Sequence, residues 1–324
     1  MRSFLRSTVL AASLLVPARA ARAQAPDSLV LRLAAMSAVT GLEDAMAESL
    51  LAALPGSALD RAGNVVLVRG SGEPVRAVLC PMDELGYVVG GITPDGYLTV
   101  RRVGATNPGP LYDQYLEGQR VTVFGRRGAV PGVVGVRSTH LTRGRAGGAD
   151  DPFALDNAYV DVGATAAAGV AALGIAVLAP VTRTKAPHRY GEGGRLVAGL
   201  AVAARAACAA LLSAARRANP AGGTTIVAFV RRRHFALDGA SHLLMERMPG
   251  AAPEAVVLLG EAARGTPGSA PAVTSGTIPV SGGAQAVTVW ALPTRYARTP
   301  VETVSLADVA ALEERLVAFL GGSR

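Results

Sequence analysis

The chain has 324 residues and a formal net charge of +8 at pH 7, and 50% of its residues are hydrophobic. This length allows roughly two domains with well-buried cores, so folding needs no disulfide or metal staple. Nucleic-acid binding requires a concentrated basic face with stacking aromatics, and aromatic residues make up only 4% of the chain, so we expect no nucleic-acid partner.

Residues 1–23 have the features of a secretory signal peptide. They combine two early arginines, an apolar stretch over 4–16 and a small-residue cleavage pattern at Ala21-Arg22-Ala23. We predict cleavage after Ala23 and a secreted or periplasmic protein. The alternative is a retained membrane anchor, but the apolar stretch is shorter than the roughly 20 residues that span a bilayer. Cleavage removes four arginines and no acids, so the formal charge falls from +8 to +4.

Two helices are predicted next, over SLVLRLAAMSAVTG and LEDAMAESLLAALPG, because their apolar residues recur at helical spacing. A hairpin over DRAGNVVLVRG and the strand VRAVLC follow. Beyond Gly86 the pattern changes to short strands and turns, which predicts an inserted small β-barrel domain that we place at 91–195. The uncharged stretch 162–182 is broken by glycines and by Pro180, so we expect no membrane span after signal removal.

Helices and strands alternate again from residue 196. Helices are predicted over VAARAACAALLSAAR and DGASHLLMERM, and strands over TTIVAFV, AVVLL and AVTVWAL. In a last helix, Ser305 and Asp308 predict a capping box and Gly321 predicts the end. Alternating strands and helices on either side of a β-rich insertion predict an α/β fold whose main domain covers 24–90 and 196–324.

Two acids, Asp83 and Glu84, stand just after the strand VRAVLC, with Pro81 in front of them. Acids at the carboxyl end of a buried strand commonly face the ligand crevice of an open α/β sheet. Both are therefore candidate site residues, and a solvated turn is the alternative.

Several segments match the motifs of one enzyme family. CPMDELGYVVGGITPDGYLTVRRVG resembles the segment around "AHMDEIG", YVDVGATAAAGVAALGI resembles a "D-I-G-A" segment, and LPTRYARTPVETVSLADV is similar to "IPTRYMHSPVEVVDLKDV". Over roughly residues 28–321 the chain thus resembles the glutamyl and tetrahedral aminopeptidases, which are dinuclear metallo-exopeptidases. The resemblance implies an α/β/α sandwich of the zinc-exopeptidase type with an inserted barrel, release of N-terminal residues from peptides, and homo-oligomers.

The family's reaction uses two divalent metals, zinc or cobalt, that hold a bridging hydroxide. Aligned motif by motif, its five ligand positions fall on Pro81, Ala203, His234, Gly260 and Arg298. The general-base position is Arg233, whereas Asp83, which would orient the first ligand, is kept. Only two residues could still bind a metal: His234, and Glu261, which follows Gly260 and could substitute for it after a small register shift. We therefore expect no cofactor and favour a catalytically inactive relative.

The same substitutions suggest a cationic pocket for a peptide or a small anion, formed by Arg205, Arg233, His234 and Arg298. Because alternate strand residues face opposite sides, we expect one pair to line it, either Arg231 with Arg233 or Arg232 with His234. In the alternative interpretation, Arg233 and Arg298 only pair with acids such as Asp83, Glu84 and Glu261.

Three functional hypotheses follow from this site. The first is a non-catalytic protein that binds a peptide or an anion. The second is an active aminopeptidase with a rearranged metal site that includes His234 and Glu261, and the third is a non-catalytic assembly partner. Cys80 and Cys208 could pair in an exported protein, but their apolar surroundings favour buried free thiols.

Overall fold

The computed structural model describes residues 26–104, 108, 111–135, 153–262, 268 and 271–322. The predicted signal peptide, residues 1–23, lies outside them. In the described ranges, no helix has the length and apolar character needed to cross a membrane. The helices there are α1 (Pro26–Ala34), α2 (Asp44–Ala53), α3 (Ala167–Ala172), α4 (Val202–Arg217), α5 (Asp238–Arg247) and α6 (Leu306–Gly321).

The strands alternate with these helices and also form the inserted domain. They are β1 (Ala58–Leu59), β2 (Val65–Ser71), β3 (Val75–Pro81), β4 (Gly86–Ile92), β5 (Leu98–Val103), β6 (Arg120–Gly125), β7 (Gly128–Gly135), β8 (Tyr159–Asp161), β9 (Pro180–Arg183), β10 (His188–Tyr190), β11 (Leu196–Gly199), β12 (Gly223–Val230), β13 (Val256–Ala262), β14 (Ala272–Val280), β15 (Gly283–Pro293) and β16 (Glu302–Ser305).

A seven-stranded sheet forms the centre of the main domain, in the order β1-β2-β12-β3-β13-β15-β14. Its inner strands β12, β3, β13 and β15 run parallel to one another. From Ala77 to Pro81, strand β3 is apolar and buried throughout, as expected for a strand whose two faces are both covered by helices. Val78 and Cys80 belong to the core that contains α1, α4 and α6, whereas Ala77 and Leu79 belong to the core that contains α5. This arrangement confirms the predicted α/β sandwich.

The inserted domain is a closed barrel with the strand order β4-β5-β8-β7-β6-β9, and it has an apolar core of its own. Its first strand begins at Gly86 and its last ends at Arg183, whereas the sequence placed the domain at 91–195. The difference at the end arises because β10 pairs with β11, and β11 pairs in turn with β16. Residues 188–190 therefore belong to a small sheet of the main domain.

Three local predictions differ from the structure. The predicted capping box is half formed, since the Ser305 hydroxyl accepts from the Ala307 amide at 3.2 Å but Asp308 instead accepts from the Gly268 amide at 2.7 Å. Strand β14 was not predicted, although it pairs along its whole length with β15. Helix α1 ends at Ala34, and the next residues run beside Glu84, whose amide donates to the Ala38 carbonyl at 2.8 Å.

Candidate functional site

A cavity of about 500 Å³ opens at the carboxyl ends of β3, β12 and β13. This is the edge at which open α/β sheets place their ligands. Pro81 is the last residue of β3, and Gly260 and Glu261 lie in β13. A larger concavity of about 1,050 Å³ lies near the start of β3 beside Trp290, and no residue that the sequence assigned to the site lines it.

The cavity collects most of the candidate residues. The ones that line it are Pro81, Asp83, Glu84, Arg233, His234, Gly260, Glu261 and Arg298. Ala203 and Arg205 do not line it, because both lie on the buried part of α4 and are 0% exposed. Arg205 is therefore out of reach of a ligand in the cavity, in contrast to its expected place in a cationic pocket.

The run Arg231–His234 does not follow the predicted strand alternation. Strand β12 ends at Val230, and Arg232 has a positive φ of 56°, so the run forms a turn in which neighbours can face the same way. Arg231 binds Glu43 at 2.9 Å and Arg232 binds Asp238 at 2.6 Å. The adjacent residues Arg233 and His234 line the cavity instead, so the predicted pairing of alternate residues is wrong.

The two cavity arginines share one acid. Arg233 Nη2 lies 3.4 Å from Glu261 Oε1, and Arg298 Nε lies 3.9 Å from the same oxygen. Asp83 does not pair with either guanidinium in the described part of the chain. Its Oδ2 accepts from the His234 amide at 3.1 Å, and its Oδ1 is buried without a hydrogen-bond partner.

Glu84 forms a buried ion cluster with Lys185 and Arg205, here named the Glu84 cluster. Lys185 Nζ donates to Glu84 Oε2, and Arg205 Nη2 lies 3.1 Å from that oxygen. The three side chains are at most 2% exposed. Burial alone would raise the pKa of Glu84, but the charges of Lys185 and Arg205 outweigh it and hold the pKa below its ordinary value of 4.5.

The sequence does not indicate a role for Lys185, because no pattern in the residues around it predicts that its side chain is buried. Lysine is almost never fully buried without a partner. Burial lowers the pKa of Lys185 to about 8 against the opposing charge of Glu84. Lys185 follows the last barrel strand, Glu84 follows β3, and Arg205 lies in α4. The cluster therefore connects these three parts of the chain.

Two further groups around the cavity have displaced pKa values. Burial, with the neighbouring charge of Arg233, lowers the pKa of His234 to about 4, so the imidazole is neutral at pH 7. Burial and the charge of Glu261 raise the pKa of Glu302 to about 7, although Glu302 accepts from the Arg298 and Ala203 amides. Glu302 was not singled out, although it lies inside the segment LPTRYARTPVE that carries the family resemblance.

A disulfide lies directly behind the cavity. Cys80 of β3 and Cys208 of α4 are joined, with 5.8 Å between their Cα atoms, and both are buried. The expectation of free thiols is wrong, although the apolar surroundings that suggested it are real. The two cysteines face each other where strand β3 packs against helix α4. Because 128 residues separate them along the chain, the sequence does not show this proximity.

Comparison with known proteins places the chain in a family. The model of the M42 glutamyl aminopeptidases matches residues 63–243, more than half of the sequence. The chain belongs to the M42 family. It is 33% identical over 186 residues to SgcX of Escherichia coli (strain K12), covering 55% of this chain and 48% of that protein. It is 32% identical over 125 residues to the lysyl aminopeptidase of Pyrococcus furiosus, covering 39% and 34%. The matches thus cover less than half of the length of these two relatives.

Solved structures support the same fold over nearly the whole chain. The Pyrococcus horikoshii TET1 peptidase has a TM-score of 0.78 at 20% identity and covers 92% of this chain and 100% of its own. Aminopeptidase APDkam598 from Desulfurococcus kamchatkensis has a TM-score of 0.76 at 21% identity, with coverages of 92% and 95%. At these identities the likeness establishes the M42 fold and no more.

The M42 family uses divalent metals, and the donor chemistry of this cavity does not fit a pair of them. Among the positions that align with the family's metal ligands, Pro81, Ala203 and Gly260 carry no side-chain atom that can bind a metal, and Arg298 carries a positive charge. In the described part of the chain, no group of three or more His, Cys, Asp or Glu side chains is arranged to hold a metal ion. The cavity instead offers two guanidiniums, a neutral imidazole and several engaged carboxylates.

Proposed function

We propose that this M42 chain is a non-catalytic member of its family and that its cavity binds the anionic group of a peptide or a small molecule. The observation that carries the proposal is the contact of both Arg233 and Arg298 with Glu261 at the strand ends. Glu261, the carboxylate next to the ligand position Gly260 in β13, is thereby engaged by positive charge.

Charge magnitudes support the loss of metal chemistry. A guanidinium about 4 Å from a divalent ion is repelled by roughly 8 kcal/mol at an effective dielectric near 20. Arg233 and Arg298 both reach into the space around Glu261, so a metal ion held by Glu261 and His234 would face two such repulsions. Two ligand side chains, opposed by two guanidinium charges, are too few to hold a pair of metal ions.

The shape of the cavity supports a binding role. Its volume of about 500 Å³ lies within the roughly 300–1,000 Å³ typical of small-molecule sites. Its walls combine apolar side chains with a few polar groups, including Arg233 and Arg298. Such a combination holds a ligand by apolar contact and orients it by charge.

The test of the non-catalytic role measures metal content and activity together. We expect less than one equivalent of zinc or cobalt by elemental analysis after incubation with either ion, and no release of N-terminal residues from a broad set of peptides. Two equivalents of metal together with such release would refute the proposal. Isothermal calorimetry tests the binding role separately, and the absence of heat with every acidic peptide and with inorganic phosphate would count against it.

We also propose that the protein is exported to an oxidising compartment. Support comes from the signal-like residues 1–23 and from the Cys80–Cys208 disulfide, because disulfides persist mainly in secreted and periplasmic proteins. Expressed as the full chain in a bacterium, the mature protein is expected to start at Gln24. When the mature protein is denatured without a reductant, neither Cys80 nor Cys208 should react with an alkylating reagent. An unprocessed chain with two alkylated cysteines would contradict both statements.

A homo-oligomer is proposed as well. One solved M42-like structure is described as a dodecamer, and the Pyrococcus horikoshii TET1 peptidase is described as assembling into a tetrahedron or a large octahedral shell. Light scattering of the purified protein should give a mass that is a multiple of the chain's. A monomeric mass at all concentrations would exclude the assembly.

A further inference from the structure

The cationic end of the cavity has one positive charge that is not neutralised locally. Glu261 Oε1 is the shared partner of Arg233 at 3.4 Å and Arg298 at 3.9 Å. Charge-assisted hydrogen bonds are usually about 2.7–2.9 Å long, so both contacts are loose. One carboxylate between two guanidiniums leaves a net charge of +1. Both side chains are within reach of a ligand, at 26% and 53% exposure.

In the described residues, the other acids of the cavity form no ion pair with the guanidinium of Arg233 or of Arg298. Glu84 is held by Lys185 and Arg205, and Asp83 Oδ2 accepts from the His234 amide. Glu302 accepts from the Arg298 amide at 2.7 Å. The charge left between Arg233 and Arg298 is therefore suited to one monoanionic ligand group.

The rest of the cavity indicates what that group is attached to. Apolar side chains line the wall, among them Leu258, Pro279 and Val289. A small inorganic anion would leave this wall in water, whereas a carboxylate on an apolar residue would cover it. Asp83 Oδ1, buried and without a partner in the described residues, offers an acceptor for an N–H group of the same ligand.

We propose that the cavity binds the free C-terminal carboxylate of a peptide whose last side chain is apolar. The carboxylate lies between Arg233 and Arg298, and the apolar side chain packs against the wall of Leu258, Pro279 and Val289. This inference rests on the proposed non-catalytic function and specifies its ligand. It also reverses the end of the peptide that is recognised, since an aminopeptidase acts at the amino end.

The test uses two tripeptides that end in leucine and carry an acetylated amino end, one with a free carboxylate and one with a carboxamide. Calorimetry on the full mature protein is expected to show binding of the acid, with the amide about tenfold weaker or worse, because a charge-assisted hydrogen bond is lost. Acetylation removes the amine, so binding of the acid does not depend on recognition of the amino end.

Variants locate the binding. Arg233→Gln and Arg298→Gln should each weaken the acid about tenfold and abolish the preference for acid over amide. Arg232→Gln is the matched control, since Arg232 lies on the same turn but binds Asp238, and it should bind the acid as the unaltered protein does. Far-ultraviolet circular dichroism checks that each variant folds. If Arg233→Gln does not fold, Arg298→Gln alone tests the inference, because Arg298 is more exposed.

Three outcomes would overturn the inference. These are equal affinity for acid and amide, no binding of either, and inorganic phosphate binding as tightly as the peptide acid. The last would show a simple anion site. Metal loading and release of N-terminal residues concern the proposed non-catalytic function alone, so the two proposals fail by different measurements.

Discussion

Replacing Glu84 with glutamine is expected to lower the free energy of unfolding by about 3–5 kcal/mol, the range found when one partner of a buried ion pair is removed. Glu84 is the acid of the Glu84 cluster, so Glu84→Gln leaves the buried cations Lys185 and Arg205 without their shared acid. The amide of Ala38 also donates to Glu84 Oε1 at 3.1 Å. Urea unfolding of the variant and the unaltered protein measures the difference.

An exposed ion pair supplies the control for Glu84→Gln. Arg101 Nη1 lies 2.8 Å from Asp156 Oδ1, but the two side chains are 68% and 80% exposed. Exposed pairs contribute about 0–1 kcal/mol, so Asp156→Asn should change stability by no more than that. A loss for Glu84→Gln as small as the loss for Asp156→Asn would mean that the cluster is solvated and does not brace the cavity.

The pH dependence of the Glu84 cluster has a definite sign. The folded-state pKa of Glu84 lies below its ordinary value of 4.5, so the folded protein binds fewer protons there than the unfolded chain. The stability that Glu84 contributes is therefore present above pH 4.5 and is lost as the pH falls through the folded value. This acid limb should be absent in Glu84→Gln.

The main elements of the fold were predictable because long sequence patterns decide them. Helix α4 was predicted to end before Asn219-Pro220, and it ends at Arg217. The segments VRAVLC and TTIVAFV are mostly apolar and too short for helices, and they form the inner strands β3 and β12 of the sheet. The periodicity of apolar residues predicts helices and strands but not how they are layered. The α/β/α arrangement came from the family motifs.

The details of the site were less predictable because they depend on contacts distant in sequence. The turn Arg231–His234 reads like a continuation of β12, and only the positive φ of Arg232 brings Arg233 and His234 to the same side. Cys80 and Cys208 meet only once α4 has packed on β3. Lys185 is buried by the approach of Glu84 from the far end of the barrel, a contact that spans 101 residues.

The substitutions in the cavity are mutually consistent in charge. Arg233 and Arg298 face Glu261, and two further cations, Lys185 and Arg205, lie behind the cavity on Glu84. Divalent ions would otherwise compensate carboxylates in such a site. In the proposed non-catalytic protein, the charges of Arg233 and Arg298 on Glu261, and of Lys185 and Arg205 on Glu84, balance these two acids without a metal ion.

Glu302→Gln is expected to stabilise the protein at neutral and alkaline pH. Burial and the charge of Glu261 raise the folded-state pKa of Glu302 from 4.5 to about 7, so between these values the folded protein binds more protons than the unfolded chain. The stability associated with Glu302 is then fully present below pH 4.5 and is lost as the pH rises through 7. At about 1.4 kcal/mol per pH unit, the loss approaches roughly 3 kcal/mol.

Glutamine removes this titration and keeps an oxygen for the Arg298 amide, which donates to Glu302 Oε1 at 2.7 Å. Urea unfolding across the pH range should show similar stabilities for variant and unaltered protein below pH 4.5 and a growing advantage for Glu302→Gln up to pH 8. The low-pH points are the internal control, because Glu302 is protonated there in both states. A difference that does not vary with pH would show that the folded protein does not raise the pKa of Glu302.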